Sequence, residues 1–157
     1  MKNRAMLFIL LSAIAAGAGA KSLSTPSLSL SQATQLANTA IKACAAKGYN
    51  VSVTVVDAAG LTRAVQRMDN AGPHTLEASY KKAYTAASSG VMTSQLLETS
   101  QKYLAAQNLS DIPGFLLLGG GVPVKENDKV IGAIGIGGAP SGSVDEACAL
   151  EAITQAR

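Results

Sequence analysis

Two stretches of alternating, β-branched sequence, each followed by a short turn and a return run, constrain this chain more than any other feature in it. Asn50 to Asp57 reads Asn-Val-Ser-Val-Thr-Val-Val-Asp. This is a strand pattern, because branched side chains pack well on a pleated surface. Ala58-Ala59-Gly60 supplies the turn, and Leu61 to Met68 returns as a second strand. Later, Phe115 to Leu118, Gly119-Gly120-Gly121 and Val122-Pro123-Val124 read as one strand interrupted by glycines, and Asn127-Asp128 turns it into Val130 to Ile136. Pro123 has no N–H to give a ladder, so it suits only an edge or a bulge. Gly132, Gly135 and Gly137 permit close approach of another backbone.

Helical patterns surround these hairpins. Ala33, Leu36, Ala37, Ala40, Ile41 and Cys44 fall on one face of a helix that starts near Ser31 and ends at Gly48. A second helix runs from about Thr75 to Ser88, with Thr75 placed to cap it, Glu77 in its first turn, and Leu76, Tyr80, Ala83, Tyr84 and Ala87 on one face. A third spans about Thr93 to Ala106, with Leu96, Leu97, Tyr103 and Leu104 facing inward. Ser143-Val-Asp-Glu146 has the spacing of a capping box that opens a last helix. The order is helix, hairpin, two helices, hairpin, helix. It predicts a single α+β domain whose antiparallel sheet is built from two hairpins. Trp is absent and aromatics make up 4% of the chain, so Val, Ile, Leu and Ala must form the core, with helices packed closely through alanine.

The first 20 residues stand apart. Met-Lys-Asn-Arg precedes the apolar run Ala5 to Ala16, and Ala18-Gly19-Ala20 follows, the layout of a secretory signal peptide cut after Ala20. The run is short for a membrane span, which needs about 20 apolar residues. The expected mature domain is therefore 21–157, exported to the periplasm and without a membrane span. Loss of Lys2 and Arg4 takes two of the 13 basic residues and leaves a near-neutral protein against 10 acidic ones. That balance does not suit a nucleic-acid partner, which calls for a clustered basic stripe. Cys44 and Cys148 are the only cysteines. They either bridge or remain as buried thiols, and export favours the bridge. Two distant thiols and one histidine are too few for a zinc site.

The densest chemistry lies between Arg67 and Tyr84. His74, the only histidine, sits in a Gly-Pro turn ahead of the second helix, which carries Tyr80, Lys81, Lys82 and Tyr84. No Gly-x-Ser-x-Gly elbow and no phosphate-binding Gly-Lys-Ser/Thr loop is present. The Gly119–Gly121 and Gly135–Gly142 segments read as tight turns and close packing. Asp57 and Asp69 fall at opposite ends of the first hairpin and do not form a carboxylate pair.

Six motifs occur in an order similar to that of the GlcG/HbpS family, which includes the C-terminal domain of PduO-type proteins. They are Val-Thr-Val-Val-Asp57, Arg67-Met-Asp69, Lys82-Ala-Tyr-Thr-Ala86, Gly119-Gly-Gly-Val-Pro-Val124, Ile131-Gly-Ala-Ile-Gly135 and Asp145-Glu-Ala-Cys148. The resemblance spans about residues 28–157. It implies helices on both faces of the antiparallel sheet, assembly as a homo-oligomer (an octamer), and haem binding in some members or corrinoid binding in others. The haem-binding PduO-type domain has its iron-ligating histidine near the N-terminal helix, where this chain has none. His74 is then the candidate metal ligand. Tyr80 and Tyr84 could stack on a porphyrin, and Arg67, Lys81 and Lys82 could neutralise its propionates. Met68 and Met92 are weaker candidates for an axial position than for the core. Three readings follow: an exported haem carrier, scavenger or redox-sensor accessory; an enzyme or accessory factor acting on a small 2-hydroxy acid or aldehyde; and a structural module whose oligomer face is its working surface.

Overall fold

A computed structural model of the chain describes residues 24–156. The signal-peptide reading of residues 1–20 lies outside the described residues. A helix α1 (Leu30–Ala45) leads into strands β1 (Ser52–Asp57) and β2 (Thr62–Arg67), then helices α2 (Thr75–Ser89) and α3 (Thr93–Lys102). A 3-10 segment (Leu104–Asp111) follows, then β3 (Gly121–Glu126), β4 (Lys129–Gly137) and α4 (Gly142–Gln155). The sheet is antiparallel in the order β2-β1-β4-β3, so the two hairpins meet through β1 and β4. Helix α2 covers one face, and α1 and α4 pack together on the other. This is the α+β architecture that the hairpin patterns predict.

Strand alternation builds two unlike faces. Val53, Val55, Ile134 and Ile136 point toward α1 and α4 and join Ala33, Leu36, Ala37, Ala40 and Ala149 in the main core. Ser52, Thr54, Val56, Ala133 and Gly135 face α2, a surface of small and hydroxyl side chains. The Ser52 and Thr75 hydroxyls lie 2.7 Å apart, and those of Thr54 and Ser79 2.8 Å apart. These pairs satisfy polar groups that would otherwise be costly to bury. The missing side chain of Gly135 lets α2 approach so closely that a Cβ there would stand 2.0 Å from the Ser79 carbonyl oxygen. Gly135→Ala is expected to cost about 3 kcal/mol, because helix backbone has to move. A denaturant midpoint unchanged from the parent protein would refute that packing.

Pro123 sits on the edge strand, as its missing donor requires. Beside it the β3–β4 register skips Ile131, whose carbonyl accepts the Leu28 N–H at 2.8 Å. Cys44 and Cys148 form a disulfide between α1 and α4, with Cα atoms 5.6 Å apart and both residues fully buried.

Five local expectations are corrected. Thr75 does not cap α2, because its hydroxyl points inward to Ser52 and donates to the Gly72 carbonyl at 2.6 Å; His74 occupies the cap position. The face of α2 is also rotated from the one the apolar spacing suggests. Thr75, Ser79, Lys82, Ala83 and Ala86 are buried, while Leu76 and Tyr80 are exposed, because the sheet opposite is too close for large side chains. Helix α3 stops at Lys102, and Tyr103 and Leu104 are 63% and 83% exposed rather than inward. Phe115–Leu118 is not part of a strand. It is held along α2 and α3 by the Leu116 N–H to Thr85 Oγ1 (2.9 Å) and by Thr93 Oγ1 to the Leu118 carbonyl (2.7 Å). In α4 the capping residue is Ser141, which accepts the Val144 N–H; Ser143 falls within the first turn.

Candidate functional site

Burying a lysine on the sheet side of α2 requires a counter-charge, and α4 provides one. Lys82 Nζ lies 2.8 Å from Asp145 Oδ2 and donates to the Ile136 carbonyl, also at 2.8 Å. The two side chains are 2% and 3% exposed. Asp145 Oδ1 accepts the Ala139 N–H at 3.0 Å. Gly120 makes room for the pair, because a Cβ there would stand 2.7 Å from Asp145 Cβ and 3.0 Å from Lys82 Nζ. Burial pushes the Asp145 carboxyl above its ordinary range, while Lys82 and the Ala139 N–H pull in the opposite direction. A raised folded-state pKa means that this group contributes most stability below the ordinary carboxylate pKa. The contribution is lost as pH rises through the folded value.

A cavity of about 240 Å³ opens beside the ion pair, lined by His74, Ala78, Lys82, Leu118, Asp145 and the 137–142 loop. His74 is exposed and stands at its mouth. Its imidazole makes no capping bond to α2 and folds back over Gly72, where a Cβ would come within 2.9 Å of Cε1. Arg67 donates to the Ala71 carbonyl and so secures the loop that carries His74.

The structure thus brings two of the six predicted site residues, His74 and Lys82, to one cavity, and ties Arg67 to the loop beside it. Tyr80, Lys81 and Tyr84 are not among its lining residues. Tyr80 and Tyr84 have ring centroids 6.0 Å apart, and Tyr84 meets Phe115 edge-on at 6.3 Å. Lys81 pairs with Glu77 on the helix surface at 2.8 Å, which holds the Glu77 carboxyl below its usual range. Met68 and Met92 pack against the core. Asp145 escaped the sequence reading as a site residue because it lay inside an apparent capping box. The available signal was Lys82 itself, a charge flanking the alanine-rich face of α2. Among the described residues no group of three or more His, Cys, Asp or Glu could hold a metal ion. Likewise, no helix there is long and apolar enough to cross a membrane. A larger groove of about 340 Å³, lined by Leu28, Leu36, Val124, Ile131 and Ile153 among others, contains none of the candidate residues.

An antiparallel four-stranded sheet with α2 on one face and α1 and α4 on the other is a small α+β fold shared with several solved proteins. The chain belongs to the HbpS-like family, described as "Haem degrading protein HbpS-like", which it matches over residues 28–154. It is 38% identical to a double mutant of Streptomyces reticuli HbpS, with a TM-score of 0.80 over 93% of this chain and 97% of that one. The Klebsiella pneumoniae protein ORFY is 31% identical, with a TM-score of 0.78 over 86% of this chain and 94% of that one. A haem complex of PduOC is 28% identical, with a TM-score of 0.74 over 82% of this chain and 94% of that one.

Proposed function

We propose that this protein binds haem after export to the periplasm, as a carrier, scavenger or redox-sensor accessory, and that it works as a homo-oligomer of mature chains 21–157. One observation supports this reading most: in a chain of the HbpS-like family, the only imidazole stands exposed at a cavity mouth and is not used as a helix cap. A neutral imidazole suits haem iron. Met68 and Met92 pack against the core and Cys44 and Cys148 are bridged, which leaves His74 as the residue that would hold the iron. The cavity of about 240 Å³ is itself too small to enclose a tetrapyrrole. Arg67 is the candidate cation left for a propionate, because Lys82 is paired with Asp145 and Lys81 with Glu77. When bound, haem would supply redox and oxygen chemistry; this chain's own part is to ligate it, orient it and limit its contact with water.

His74→Ala is expected to weaken hemin binding by about tenfold or more and to remove the histidine-ligated Soret signature, with free imidazole restoring that signature. His74 is a surface residue, so the melting temperature should not change. An unaltered spectrum in the variant would rule out His74 as the ligand.

A further inference from the structure

The cavity beside Lys82 has donor and acceptor capacity that the fold does not use. An ammonium carries three N–H donors, and Lys82 commits two of them, to Ile136 and Asp145. A carboxylate offers about four acceptor positions, of which Asp145 uses one for Lys82 and one for the Ala139 N–H. Both side chains are almost wholly buried, and both line the same cavity. Their charges cancel, so the cavity carries no net charge from them. The pair is held from four sides, by α2, α4, the end of β4 and the glycine turn before β3. It is therefore set in position before any ligand arrives. A volume of about 240 Å³ corresponds to roughly eight waters at their liquid volume, the size of a small metabolite.

We infer that this cavity is a binding site for a small neutral molecule bearing a carbonyl next to a hydroxyl, the hydroxy-ketone and hydroxy-aldehyde class. The carbonyl oxygen accepts the third Lys82 N–H, and the hydroxyl donates to an open Asp145 position. His74 at the mouth supplies a further donor or acceptor. An anionic 2-hydroxy acid fits less well, since its carboxylate would meet Asp145 with no uncompensated cation in the cavity. The inference does not depend on haem binding and is tested in the haem-free protein.

The test titrates haem-free protein with hydroxyacetone and with glycolate, followed by ligand-observed NMR. Saturable hydroxyacetone binding is expected, with glycolate weaker by about tenfold. Ala78→Leu, which fills the cavity from a helix position, should abolish the signal while keeping the parent circular dichroism spectrum. Leu118→Trp, at an exposed lining residue, provides a second block if Ala78→Leu does not fold. Absence of saturable binding, or binding that persists in a folded blocking variant, would overturn the assignment. Glycolate binding as tightly as hydroxyacetone would overturn the neutral-ligand claim.

Discussion

Lys82→Met is expected to destabilise the protein by about 3–5 kcal/mol at neutral pH, because it leaves Asp145 as a buried carboxylate without a counter-charge. The loss should have a specific pH dependence. Burial already raises the Asp145 pKa, and Lys82 is the largest influence opposing it. Without Lys82 the pKa rises further. The folded variant then binds a proton more tightly than the unfolded chain, and its stability improves as pH falls through the raised value. Converting the partner as well, in Lys82→Met/Asp145→Asn, should recover most of the loss at neutral pH, since no buried charge remains. Denaturant melts of both variants at neutral and mildly acidic pH check this. A single variant as stable as the parent, or a double variant worse than the single, would show that the pair does not hold α2 and α4 as described.

Removal of the Cys44–Cys148 bridge is the second large effect. The bridge closes a loop with a sequence separation of 104. The chain-entropy account gives about 4–5 kcal/mol for a loop of that length. For a domain of this size the melting temperature should fall by on the order of 10–20 °C in Cys44→Ala/Cys148→Ala. Alanine suits both sites, because each lies on an alanine-lined helix face. The same fall should follow when the unmutated protein is melted after reduction in denaturant. A fall of only a few degrees would place most of the α1–α4 stability in apolar packing instead.

Much of the fold was legible because its signals are local and periodic. The alternation of Asn50–Asp57, the turn at Gly60, the edge position of Pro123 and the buried face of α1 each follow from a few neighbouring residues. The failures on α2 share a cause in its close approach to the sheet. Gly135 and Ala133 bring the helix so near that Thr75, Ser79 and Lys82 turn inward, and the larger Leu76 and Tyr80 are left outside. No periodicity within the helix alone carries that information, because it is set by small residues about 55 positions away. The site was read in part for the same reason. His74 is conspicuous as the only histidine, and Lys82 was singled out, but as a free cation. Its partner Asp145 lies 63 residues on, and only the meeting of α2 with α4 shows that the charge is already matched. Tyr80 and Tyr84 had helical spacing consistent with a shared face, yet neither lines the cavity: Tyr80 is exposed, and Tyr84 is half-buried against Phe115.

The reading of this chain as a carrier, scavenger or sensor accessory rests on its binding haem. A titration of the purified, haem-free protein with hemin, followed through the Soret band, tests it most directly. A red-shifted band that saturates at a fixed ratio of haem to chain is expected. A band that grows in proportion to added hemin without saturating, as for haem partitioning onto any apolar surface, would contradict it.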